Sequence, residues 1–260
     1  MHDYLLQADH GVRFDWGPAG ARHLAPQTGA LVVVDVLSFT TSVSVAAEAG
    51  TRVLPYPWRD ESADAFATGH DARLAVGRHA VSDRTPWTLS PAALRRAPAT
   101  ARLVLPSPNG SAISAAAQHA GATVLAACLR NATAAAAWLA AHDYGTPQRP
   151  VAVIAAGEHW PDGTLRPALE DLYGAGAVIA ALRGRGCGPL SPEAAMAGAA
   201  FAASAASAGV ARQVRGSVSG RELTEGGFAE DVAVAVELDA SAVVPVLVDG
   251  AFTAQRAPQA

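Results

Sequence analysis

Short apolar runs separated by turn residues recur along the chain and set its expected architecture. Leu31-Val32-Val33-Val34 continues through Asp35 into Val36 and Leu37. A β-branched run this pure predicts a strand over about 30–36, buried on both faces. A helix over about 41–49 follows, closed by Gly50, and then a strand at Arg52-Val53-Leu54-Pro55-Tyr56. The same features return as a strand at Arg102-Leu103-Val104-Leu105, a loop from Pro106 to Ser111, a helix from Ala112 to His119, a stop at Gly121 and a strand from Thr123 to Ala127. Placing Gly50 on Gly121 aligns Val53-Leu54 with Val124-Leu125 and Thr40 with Ser111. Each stretch reads as a βαβ unit, and the pair as reused architecture.

The remaining pattern is less regular. Val12 to Gly17 predicts an edge strand, and residues 57–100 are polar and turn-rich, with a surface helix from Asp60 to His70 and a short strand from Ala72 to Gly77. Leu129 to Thr133 leads into a helix through Ala141, and Pro150 to Ala156 predicts a buried strand. A helix starts at Pro167 and runs to about Leu182, and an Ala-rich helix opens at Ser191-Pro192-Glu193. Asp231 to Leu238 alternates like a half-exposed strand, and Val243 to Val248 reads as a last strand that Pro245 assigns to a sheet edge. No linker-like stretch divides the chain. Residues 1–260 therefore read as a single α/β domain, helices layered around a mixed β-sheet, with room for two intimately packed lobes.

Composition narrows the chemistry. Half of the residues are hydrophobic but only 6% are aromatic, so Ala, Val and Leu must build the core. A net charge of −4 gives no surplus to neutralise a nucleic-acid backbone, so no nucleic-acid partner is expected. All 19 basic residues are Arg. This excludes a Walker lysine, Schiff-base chemistry and a Ser-Lys nucleophile, and it leaves Arg, hydroxyls, backbone N–H groups or a metal to hold a phosphate. Cys128 and Cys187 have neither metal nor redox spacing, and the eight histidines form no HxH or HExxH pattern. Among them His159, in a Gly-bounded loop after a strand, is placed for acid/base work. The start of the chain has no basic leader or apolar segment, and Ala194 to Ala208 is too short and weakly apolar to span a bilayer. The expectation is a cytoplasmic protein with no membrane segment, and a homodimer by default.

Three strand-to-helix junctions share one character: Ser38 with Thr40 and Thr41, Ser107 with Asn109-Gly110-Ser111, and Asn131 with Thr133. Each puts side-chain donors beside unpaired helix N–H groups, a way to hold phosphate without Lys. Ordinary N-capping uses the same residue types, so one junction alone decides nothing. Asp35 carries more weight, because a buried carboxylate is costly unless paired or metal-bound. Glu170-Asp171 either complement a helix dipole or join Asp35 around a hard cation such as Mg²⁺.

Asp35-Val36-Leu37 with Thr40-Thr41, Asn109-Gly110-Ser111, Asn131-Ala132, Ala156-Gly157, Glu170-Asp171, Ala175-Gly176, Arg221-Glu222-Leu223, Asp231-Val232 and Val244-Pro245 together resemble the 2-phosphosulfolactate phosphatase (ComB) family. The resemblance implies that family's α/β fold and a Mg²⁺-dependent phosphatase releasing phosphate from 2-phospho-3-sulfolactate, a small anionic ester. It puts Asp35, Glu170 and Asp171 among catalytic and metal positions, and Ser38, Thr40, Thr41, Asn109, Gly110, Ser111 and Asn131 among substrate-facing ones. This chain departs from the family pattern where Ser38 replaces an Arg, and again at Arg78, at Leu89 and at Ser107-Pro108. Arg78 and Arg130 are the candidates to restore the cation. A non-catalytic binder of a small phosphorylated or sulfonated anion is the alternative on the same scaffold.

Overall fold

The Leu31–Val34 run is a strand with every residue buried, as its composition requires. The computed structural model describes residues 3–57, 60–207 and 209–257. In chain order the first half contains β1 (Val12–Trp16), α1 (Gly17–Leu24), β2 (Ala30–Val34), α2 (Phe39–Glu48), β3 (Arg52–Tyr56) and α3 (Ser62–Gly69). It continues with β4 (Arg73–Leu74), α4 (Pro91–Arg96), β5 (Arg102–Pro106), α5 (Gly110–His119) and β6 (Thr123–Ala127). The second half contains α6 (Ala132–Ala141), β7 (Val151–Ala155), β8 (Glu158–His159), β9 (Leu165–Arg166), α7 (Leu169–Gly184) and α8 (Pro192–Ala206). Then follow α9 (Val210–Gly216), α10 (Val218–Glu225), α11 (Ala229–Ala235), β10 (Val243–Val248) and β11 (Ala251–Arg256).

Among the described residues, nine strands form one mixed sheet in the order β1-β7-β2-β6-β10-β11-β3-β5-β4, and β8 and β9 pair separately. Two parallel limbs, β1-β7-β2-β6 and β3-β5-β4, are joined through the antiparallel β10–β11 hairpin. Three antiparallel pairings separate β6 from β3, so the limbs run in opposite directions. The repeated strand–helix–strand units each cross from one limb to the other: β2-α2-β3 goes out and β5-α5-β6 returns. The expectation of simple βαβ units, with parallel strands in one limb, is corrected accordingly.

Period-two alternation divides β2 between two cores. Leu31 and Val33 join Phe39 and Val43 of α2, Ile113 of α5, and Val53, Leu103 and Leu105 from the other limb. Val32 and Val34 face the opposite side, with Leu139 of α6, Ile179 of α7 and Ala197 of α8. Burying each such Val or Leu contributes roughly 1.5–3 kcal/mol. Helices α7 and α8 cross closely because Gly176 has no side chain; a Cβ there would overlap the Ala197 carbonyl. No single helix among the described residues is long and apolar enough to cross a membrane.

Four further expectations are corrected. Asp231–Leu238 is not a strand: Asp231, Val232, Val234 and Ala235 are buried at helical spacing on α11. Pro245 lies in an interior strand, tolerated where β10 meets β6 through one register pair, Val246 with Leu125. A further strand, β11, follows β10, with only its Ala251 and Phe252 buried. Helix α7 starts at Leu169 instead of Pro167, because Ala168 is still extended (φ −112°, ψ 126°).

Candidate active site

The loops leaving β2 and β5 belong to opposed limbs, yet they meet because both limbs wrap α2 and α5 into one core. The two helices therefore point their N-termini at one group, the carboxylate of Asp35. Its Oδ1 accepts the Phe39 N–H at 3.1 Å, and the Gly110 N–H also stabilises its charge. Only glycine fits at position 110, since a Cβ would overlap the Phe39 ring. Asp35 is 6% exposed. Burial, and then the charge of Glu170, raise its pKa to about 6 against the opposing N–H groups and Arg78.

Asp35 forms part of a cavity of about 360 Å³ that also takes residues from the loop after β7 and from α10. Arg78 enters it from the irregular stretch between β4 and α4 and donates to Ser38 Oγ at 2.8 Å. Its Nε donates at 3.1 Å to Asp231 Oδ2. Asp231 is 1% exposed, and its Oδ1 accepts from Ser90 Oγ at 2.5 Å and from the Ala92 N–H at 3.2 Å. A buried carboxylate on α11 thus fixes a cation on a distant loop. On the opposite wall, the β8–β9 ladder sets Glu158 across from Arg166, and Arg166 reaches Ser219 Oγ at 3.5 Å beside Glu222.

Asn109 spans the cavity floor. Its Nδ2 donates to the Gly157 carbonyl at 3.1 Å and to Glu158 Oε2 at 3.2 Å, while its buried Oδ1 has no partner among the described residues. Burial, and then the charges of Asp35 and Glu170, raise Glu158 to about 7, with Arg166 opposing. His159 lines the same cavity from an exposed position.

The predicted residues divide into two groups. Asp35, Ser38 and Asn109 line the cavity, and Gly110 serves it through its N–H. Thr40, Thr41 and Asn131 do not face a substrate: all three are wholly buried and bonded to the chain itself. The Thr40 hydroxyl donates to the Asp35 carbonyl and accepts the Asp35 N–H; Thr41 donates to the Val36 carbonyl. Asn131 accepts the Cys128 N–H and donates to the carbonyls of Ala126 and Val243. Ser111 is buried behind the cavity wall, its Oγ without a partner among the described residues.

Glu170 and Asp171 also lie behind the wall. Glu170 Oε2 accepts from Ser217 Oγ at 3.0 Å. Asp171 accepts the Val36 N–H at 2.7 Å and the Gly157 N–H at 2.8 Å, one on each oxygen. Burial and the charges of Asp35 and Glu170 push Asp171 well above the carboxylate range. Among the described residues, no three His, Cys, Asp or Glu side chains are placed to hold one metal ion. Of the two candidate arginines, Arg78 is in the cavity and Arg130 is not. Arg130 is buried in an ion network with Glu48, at 2.5 Å, and Glu237. Sequence reasoning missed Glu158, Arg166, Ser219 and Glu222. The signals available were the Gly157-Glu158-His159 loop and the Arg221-Glu222-Leu223 triplet.

Fold and cavity define a layered α/β protein whose strand ends carry a small cavity lined by arginines and carboxylates. More particularly, the chain belongs to the 2-phosphosulpholactate phosphatase family, whose sequence profile matches residues 20–250. That family is one of phosphoric monoester hydrolases. Comparison with curated proteins finds no match.

Proposed function

We propose that this protein is a phosphatase that releases phosphate from a small phosphate monoester, with 2-phospho-3-sulfolactate the ester to which family membership points. One observation carries the proposal: Arg78 and Arg166 face Asp35 and Glu158 around a single cavity of about 360 Å³. Guanidinium groups match the paired oxygens of phosphoryl and sulfonate groups. Carboxylates beside them make no sense for anion binding alone, since they repel the ligand.

In the reaction, a water oxygen bonds to phosphorus as the ester P–O bond breaks; one water proton goes to the leaving oxygen and the other stays on phosphate. Arg78, fixed by Asp231, and Arg166 bind and orient the phosphoryl oxygens, whose charge builds toward the transition state. His159, at the rim, relays that proton, giving its own to the leaving oxygen and taking one from the attacking water in return. The donor chemistry suits a hard cation, which takes one or two carboxylates and fills its remaining positions with water and substrate oxygens. Asp35 and Glu158 would hold Mg²⁺, which supplies charge neutralisation at the phosphoryl group. Asp171 does not suit that role, because backbone donors occupy both of its oxygens.

The test is phosphate release from a panel of small esters, including 2-phospho-3-sulfolactate, with Mg²⁺ and with a chelator. Asp35→Asn and Arg78→Gln are each expected to lower kcat/KM about a hundredfold or more. Absence of turnover on every ester, together with tight phosphate binding, would make the protein a non-catalytic anion binder instead.

A further inference from the structure

A second cavity, of about 450 Å³, adjoins the first and has no part in the reaction derived above. Arg78 and Leu89 are walls of both cavities. The chain also passes directly from Pro106, on the wall of the second, to Ser107, Pro108 and Asn109 on the first. The two spaces therefore lie side by side, with the phosphate-orienting guanidinium between them.

Their linings differ in kind. Ala63, Leu74, Ala75 and Val76 give the second cavity an apolar floor, and Asp60, Glu61 and Asp64 give it an acidic rim. Among the described residues its one cation is Arg78, which is tied to Ser38 and Asp231. An acid group of a phosphosulfolactate-like ester would meet the carboxylates of Asp60, Glu61 and Asp64 here, with no free side-chain cation among the described lining residues. An apolar group would be received: a cavity of roughly 150 Å³ already holds a benzene ring.

We propose that this cavity is a leaving-group subsite. With the phosphoryl group at Arg78 in the first cavity, the apolar aryl or alkyl alcohol portion of a larger phosphate monoester occupies the second. The inference rests on the phosphatase reading and extends it to a further substrate class, esters whose far end carries no negative charge.

Non-hydrolysable phosphonates test this by titration calorimetry on the intact protein, without turnover. Benzylphosphonate is expected to bind roughly tenfold or more tightly than methylphosphonate, from apolar area leaving water. 4-Carboxybenzylphosphonate is expected to lose that advantage at the acidic rim. Leu74→Glu, on the half-buried edge strand, and Val76→Trp, which fills the space, should each bring the benzyl-to-methyl ratio to about one and leave methylphosphonate affinity unchanged. Two independent variants cover the case in which one does not fold. Equal affinities in the unaltered protein, or an advantage that survives both substitutions, would overturn the subsite while the phosphatase reading stands. If no phosphonate binds, the phosphoryl site itself is wrong and both proposals fall.

Discussion

Asp231 does not itself line the candidate cavity, yet it governs the cation on its wall, so Asp231→Asn should separate affinity from catalysis. The carboxylate serves three donors with two oxygens: Arg78 Nε on Oδ2, and Ser90 Oγ with the Ala92 N–H on Oδ1. Asn has one acceptor oxygen. If that oxygen stays toward α4, the new NH₂ group confronts Arg78 Nε, and a charge-assisted bond of about 1.5–3 kcal/mol is lost. At about 2–4 °C per kcal/mol for a chain of this size, Tm should fall by roughly 5 °C. Among the described residues Arg78 would keep one hydrogen bond, to Ser38 Oγ at 2.8 Å, and the face of the Phe228 ring. Loosening a fixed phosphate ligand by about 1.4 kcal/mol raises KM, and the Kd of inorganic phosphate, about tenfold, while kcat stays within about threefold. Steady-state kinetics with phosphate titration reads the split. Since Asp231 acts through Arg78, adding Asp231→Asn to Arg78→Gln should weaken phosphate binding no further. A variant with lowered Tm but unchanged phosphate affinity would refute the positioning role and leave Asp231 a purely structural group.

Arg130→Met should do the opposite. It leaves Glu48 free to rehydrate and Glu237 still paired with Arg95, each glutamate about one-third exposed, so urea unfolding should show a loss of about 2–3 kcal/mol with kcat/KM unchanged; lost activity in a fully stable variant would return Arg130 to the site. The pH dependence of stability follows from Asp35 at about 6 and Glu158 at about 7, both above their ordinary values of 3.8 and 4.5. Because folding raises these pKa values, the folded protein binds the extra protons, and metal-free stability should fall as pH rises from about 4 to about 7. Mg²⁺ needs the ionised carboxylates, so the Tm gain it gives should grow over the same window; a metal-free Tm that is flat or rises there would contradict the assignment.

The long β-branched runs were legible because burial on both faces leaves no polar positions to confuse the pattern: the strands at β2, β5, β6 and β7 all form where expected. Elements made of small apolar residues were not. The stretch forming α11 alternates Val and Ala, which satisfies period two by composition, and only the need of Asp231 to reach Arg78 and the start of α4 shows it to be a helix. Sheet order was hidden as well, because no local pattern reveals that a C-terminal hairpin inserts between two limbs and reverses one against the other.

For the site, residue chemistry was legible and its target was not. Helix N-termini with nearby donors satisfy either a ligand or their own chain, and what decides is which loops fold over each strand end. After β6, Asn131 is claimed by the Val243 carbonyl of β10; after β2, the end stays open and Asp35 faces a cavity. Glu158 and Arg166 escaped notice because cross-strand pairing in a hairpin of two-residue strands makes them neighbours. Asp171 joins the two halves of the argument. It does not face the cavity, but its oxygens hold the N–H of Val36, the residue after Asp35, and the N–H of Gly157, the residue before Glu158. One buried carboxylate thereby sets the spacing of Asp35 and Glu158, two of the carboxylates that line the cavity. Of the acidic pair on α7, Asp171 holds the backbone from which Asp35 and Glu158 project, while Glu170 accepts from Ser217 Oγ.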